Sequence, residues 1–219
     1  MSPIFVRSLP FGLYIAFLAI EGLLRLWAPD FDVRWVYPVK AGLAALALAA
    51  LWRHYVELKT DGLSLRHAFL SVVVGAVVLV LWVNLDAGWM LMGELGEGYN
   101  PANDAGGIDW TLVAFRIAGA ALVVPLIEEL FWRSFLQRWI QQDDFLGLNP
   151  ARIGVRALLI ASVLFAVEHL QWFAGLVAGL AYGWLYIRTR TLWAPILAHA
   201  VTNGGLGLYV VATGQWRFW

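Results

Sequence analysis

Cysteine is missing from the 219-residue chain altogether, which excludes a disulfide framework, a thiolate nucleophile and a Cys-ligated zinc site. Charge is scarce as well. Asp, Glu, Lys and Arg make up 14% of the residues, against about 25% in ordinary soluble domains. The 15 basic and 15 acidic residues cancel, and no basic patch or acidic tail remains to recruit nucleic acid. Lysine is nearly absent too: 13 basic residues are Arg and 2 are Lys, which with the abundant Ala, Leu and Trp suggests a GC-rich bacterial gene. So little polar surface cannot cover a water-soluble globule.

What the chain has instead is apolar: 61% hydrophobic residues and a mean hydropathy of +0.71. A membrane helix needs roughly 20 mainly apolar residues to cross about 30 Å of hydrocarbon. Candidate spans lie near 8–27, 36–52, 68–87, 111–139, 154–171, 173–188 and 192–211. Many are bracketed by Trp, the residue that prefers the membrane–water interface. The prediction is an all-α, polytopic membrane bundle of about seven spans. Its first run exceeds the roughly 7–15 apolar residues of a signal-peptide core and reads as a retained anchor. Arg53, Lys59 and Arg66 fall in one connection, Arg138, Arg152 and Arg156 in another, Arg188 and Arg190 in a third. Residues 86–110 hold Asp86, Glu94, Glu97, Asp104 and Asp109 with no Lys or Arg. By the positive-inside rule the basic connections are cytoplasmic, giving an N-in, C-out protein of the bacterial inner membrane. One structural unit is expected: N-terminal spans and outer loop over 1–110, a polar core over 111–211, and a short tail over 212–219.

Ionisable residues inside membrane spans are costly and raise a functional-site hypothesis. In "VVPLIEELFWRSF" (123–135), Glu129 and Arg133 stand at i and i+4, acid first, the favourable order for an intrahelical pair. Glu128, one step around the helix, has no such cation and is left as a candidate base. The plainer alternative is that both glutamates snorkel at a cytoplasmic helix end. In "APILAHAVTNG", His199 and Asn203 share a face, to serve one site or to make interhelical hydrogen bonds. In "LFAVEHLQW", Phe165 and His169 share a face, with Glu168 beside them. Pro125 and Pro195 precede two of these motifs; each removes a helix hydrogen bond and leaves a carbonyl in need of a partner or water. A small wet cavity between helices would account for the set. Elsewhere, Glu21 and Arg25 are expected to pair at i and i+4, Arg116 to snorkel outward, and His54 and His67 to flank a solvated loop.

Taken in order, Glu-Glu-x-x-x-Arg in "EELFWR", Phe-x-x-x-His in "FAVEH" and His-x-x-x-Asn in "HAVTN" resemble the CAAX-protease and bacteriocin-processing family. These are glutamate-dependent intramembrane proteases, including the Rce1-type prenyl endopeptidases and the bacterial ABI proteins. The resemblance covers about residues 111–211. It implies that Glu128 activates water, His169 assists, and His199 with Asn203 stabilises the oxyanion, with Glu129 and Arg133 supporting. Phe165 and Glu168 join them, Glu168 as a carboxylate outside the family pattern that could orient or charge His169. No metal or other cofactor is implied, and the expected partners are the bilayer and a membrane-associated or lipidated substrate. Two alternatives stay open: a zinc site built from Glu128, His169 and His199, and a non-catalytic scaffold or immunity factor. A proton relay fits less well, as do serine or aspartyl chemistries. If span five crossed fully, His169 would lie near its far end. The motifs therefore meet only if the turn around Gln171–Trp172 lies inside the protein body.

Overall fold

The computed structural model describes residues 1–59, 62–103 and 106–219. Asp104, counted above among the loop acids, lies outside them. Among the described residues there are seven helices and no strand. They are α1 (Pro3–Trp27), α2 (Val36–Leu51), α3 (Leu65–Trp82), α4 (Trp110–Trp139), α5 (Val155–Ala166), α6 (Trp172–Thr189) and α7 (Trp193–Thr213). Helices suit these apolar runs because each pairs its own backbone groups where no water can. Polar residues mark the boundaries. The Ser64 hydroxyl accepts from His67 N–H to open α3, and Asp109 accepts from Thr111 and Leu112 N–H to open α4. Arg190 (φ 62°) and Gly214 (φ 68°) end α6 and α7 in the left-handed conformation.

The chain is a polytopic membrane protein. Among the described residues, five helical stretches are long and apolar enough to cross a bilayer: α1, Val33–His54, α3, α4 and α7. Large apolar side chains such as Leu18, Phe69, Val77, Leu122 and Leu208 face outward along them, a surface that needs lipid rather than water. Trp27, Trp89 and Trp110 are exposed at or near helix ends.

The expected span 154–171 stops early. α5 has 12 residues and rises only ~18 Å. Its chain then turns, with His169 N–H donating to Ala166 O at 3.1 Å. The turn is clasped by its neighbours. Gln171, buried, donates to Trp82 O at 3.0 Å, Met92 N–H donates to Leu170 O at 2.7 Å, and Trp172 Nε1 donates to Trp89 O at 3.1 Å. His169 is thereby held beside the last turn of α3, its ring edge-on to Trp82 with ring centres 5.4 Å apart.

Small residues let the backbones approach, the usual device where lipid supplies no hydrophobic drive between helices. A Cβ on Gly179 would stand 3.0 Å from Ser162 Cα, so α6 lies close on α5. A Cβ on Gly75 would overlap Ala198 O, which sets α3 equally close on α7. At the end of the bundle carrying residues 52–59, Arg7 and Glu57 form a bidentate pair at 2.6–2.7 Å, joined by the Ser134 hydroxyl. Arg138 stands 4.0 Å from Glu57 and donates to Leu146 O and Leu148 O.

Two expected roles change. Glu21 pairs with Lys40 of α2 at 3.0 Å rather than with Arg25, because α2 packs alongside α1 and offers a nearer cation. Arg116 does not snorkel. Its guanidinium turns inward over Tyr37, 4.2 Å from the ring centre, where aromatic faces receive it.

Candidate active site

α4 carries both glutamates between two π-helical stretches, Gly119–Val123 and Leu130–Leu136. Such bulges are rare and favour functional positions. The first has a readable cause. Val124 N–H reaches back five residues to Gly119 O. The next donor in that register would be Pro125, which has no N–H to give to Ala120 O. Asn203 Nδ2 of α7 donates there instead, at 2.9 Å. The carbonyl freed by the proline is therefore satisfied by a neighbouring helix, and α7 is tied to α4 at the site.

Glu129 is fully buried and shares one oxygen between two donors. Arg133 Nη1 approaches at 3.0 Å and His199 Nδ1 at 2.9 Å. The Arg133 plane lies over the Phe165 ring at 4.4 Å, with Tyr182 5.4 Å away. Phe165 is thus the floor on which the ion pair rests, and it also contacts the rings of His169 and His199.

Glu128 stands differently. It is 6% exposed and pairs with no cation among the described residues; its Oε2 has no hydrogen-bond partner, as is also true of Glu129 Oε2. The charges of Glu168, Glu129 and Arg133 act on it from nearby.

The hydrogen bonds settle both imidazoles. His169 Nδ1 lies 2.9 Å from Phe165 O, and a carbonyl only accepts, so Nδ1 carries the hydrogen and Nε2 keeps a lone pair. His199 Nδ1 donates to the Glu129 carboxylate, leaving its Nε2 free. Glu128, His169, His199 and Asn203 all line one cavity of about 150 Å³. One buried water needs about 10–15 Å³ by this measure, so the space suits several waters or a small polar group. Among the described residues, no group of three His, Asp or Glu is arranged to hold a metal ion.

Sequence reasoning missed Tyr182 and Thr202. Tyr182 stacks on His199 with ring centres 5.0 Å apart and planes at 22°. Its hydroxyl donates to Thr202 Oγ1 at 2.7 Å, and Thr202 donates on to Gly75 O at 2.9 Å. The available signal was the run Gly175, Gly179, Gly183, one glycine every fourth residue of α6. That spacing marks a packing face, and Tyr182 sits beside it.

Residues 110–205 match the family model described as type II CAAX prenyl endopeptidase Rce1-like. A protein of Bacillus subtilis (strain 168) named "Putative membrane peptidase YdiL" is 29% identical over 96 residues, covering 42% of this chain and 35% of that relative. The match thus spans about a third of the relative's length. No solved structure matches the chain.

Proposed function

We propose that this chain, whose residues 110–205 match the Rce1-like family model, is a CAAX-protease-like intramembrane endopeptidase acting on a membrane-associated or lipidated peptide. The carrying observation is Glu128. It is a buried carboxylate with no cation partner among the described residues, on a cavity that also presents two imidazoles and an amide. An unpaired polar group in such surroundings is costly and would be displaced by any apolar residue if it had no task.

In this reading Glu128 takes a proton from a cavity water as that water attacks the scissile carbonyl. His169, with its Nε2 lone pair turned available, accepts from the same water and orients it. The tetrahedral oxyanion is met by Asn203, whose second amide hydrogen is not used by Ala120, and by His199 Nε2. Nε2 donates in this way only from a doubly protonated ring. The C–N bond then breaks as Glu128 returns its proton to the leaving amine. Base catalysis of this kind contributes about 10²–10⁴-fold, and each oxyanion donor about 10²–10³-fold.

The test is hydrolysis of a membrane-peptide library by wild type and Glu128→Gln, each with and without chelator. Loss of at least about 10²-fold in the variant, with indifference to chelator, is the expected result. Equal activity in two equally folded proteins would leave the scaffold reading. Activity lost to chelator and restored by zinc would move the chemistry to a metal.

A further inference from the structure

A second cavity, of about 870 Å³, lies between α1, α2, the 95–103 segment and residues 217–219. Tyr37, Arg116 and Trp219 line both cavities, so they form the partition between this space and the one holding Glu128. The larger cavity is rich in cations: Arg25, Arg34, Lys40, Arg116 and Arg217 face three acids, Glu21, Asp32 and Glu97. Three of the cations are matched, Arg34 to Asp32 at 2.8 Å, Lys40 to Glu21 at 3.0 Å and Arg217 to Asp86 at 2.9 Å.

Arg116 and Arg25 pair with no carboxylate among the described residues. Arg116 is surrounded by the aromatic faces of Tyr37, Tyr99 and Trp219, with the Tyr37 hydroxyl beside it. Its Nε makes no hydrogen bond, and the hydroxyl of Tyr37, a residue only 2% exposed, lies between Arg116 and Tyr14. Buried donors are almost always satisfied. A guanidinium with no acid partner on the wall of a cation-rich cavity, with a phenol hydroxyl beside it, is what a carboxylate would satisfy, its two oxygens on the guanidinium fork.

We propose that this cavity is a substrate-binding site for a carboxylate of the peptide being cleaved, held by Arg116 and Tyr37, with Arg25 adding charge at its rim. The proposal rests on the peptidase reading of the adjoining cavity. It favours a peptide over a lipid headgroup because the two cavities share a wall. Arg116 also lies on the same helix as Glu128, three turns away and ~18 Å along the axis.

The experiment uses the full chain in phosphatidylcholine nanodiscs and a fluorescent, end-blocked apolar peptide. A single Asp is walked along the peptide and compared with Asn at each position. Binding is read for wild type, Glu128→Gln, Arg116→Gln, Arg116→Lys and Tyr37→Phe. At one position or a short run, Asp should bind about tenfold tighter than Asn, equally in wild type and Glu128→Gln. Arg116→Gln should abolish that preference and Arg116→Lys restore part of it. If Arg116→Gln does not fold, Tyr37→Phe decides, with an expected loss of about threefold in the preference. No Asp preference at any position, or one that survives Arg116→Gln, overturns the proposal. So does phosphatidylglycerol co-purifying with wild type but not with Arg116→Gln while Asp and Asn bind alike, which would make the cavity a headgroup site. Because binding is read in Glu128→Gln as well, failure here is separate from failure of the hydrolysis reading.

Discussion

Glu128 and Glu129 are chemically identical neighbours that the bundle treats in opposite ways. Glu129 receives Arg133 and His199 at 3.0 and 2.9 Å, so its charge is balanced and its removal strands a buried guanidinium. Glu128 pairs with no cation among the described residues. Replacing one partner of a buried ion pair costs about 3–5 kcal/mol, whereas neutralising an unpaired buried carboxylate relieves a desolvation penalty. Glu129→Gln is therefore expected to lower thermal stability in detergent strongly, and Glu128→Gln to leave it unchanged or raise it. Equal losses in the two variants would show that Glu128 is as structural as its neighbour. A carboxylate that can be neutralised without loss of stability, yet not without loss of hydrolysis, is the signature expected of a base.

α5 and α6 act as one element because a face of small residues joins them. The close approach at Gly179 holds Ser162, and through α5 it holds Phe165 and His169. Arg133 Nη2 reaches Gly179 O at 3.5 Å, so the same glycine touches the ion-pair network. A bulky side chain there must separate the helices, and overpacking of this kind costs roughly 1–3 kcal/mol or more. Gly179→Leu is expected to destabilise the protein and cut activity together, with Gly179→Ala intermediate. A melting series run alongside activity would check this. Loss of stability without loss of activity would show that the hairpin does not position His169. The bend in α4 obeys the same logic: Pro125 frees a carbonyl and Asn203 takes it, so a break in one helix is repaired by another.

Across the whole molecule, the charges divide into a network that holds one end together and a set that orients the chain. Burial pushes the Glu57 carboxyl up, but its hydrogen bonds and charge contact with Arg7, helped by Ser134, win and hold it below its ordinary 4.5. A carboxylate lowered in the folded state contributes stability that is complete above its unfolded value. That stability is lost as pH falls through the folded one. Melting temperature should thus be flat near neutrality and drop below about pH 4.5, and Glu57→Gln should be lower at neutral pH and lack that acid-side drop. Arg7 and Arg138 belong to this network and are buried, so topology must rest on the exposed basic residues. The absence of native cysteine permits a clean test. Glu94→Cys should react with an impermeant thiol reagent from outside the cell, and Arg152→Cys only after permeabilisation. The reverse pattern would invert the N-in orientation.

Helix class, approximate span limits and the Glu129–Arg133 pair were legible because they follow from transfer free energy and from the 3.6-residue period within a single helix. The three motifs were legible for the same reason: each lies on one element or its immediate end. What the sequence could not reveal is every contact that needs two elements to meet. Glu21 pairs across to Lys40 instead of along to Arg25, Arg116 turns inward onto Tyr37, and Glu129 reaches His199 from α4 to α7. The early stop of α5 belongs here too, since Val167–Gln171 leaves the helix to be clasped by α3 and residues 88–92. Local periodicity decides which side chains share a face, but only packing decides what that face meets. The cavity on which Glu128, His169, His199 and Asn203 converge is a product of the second.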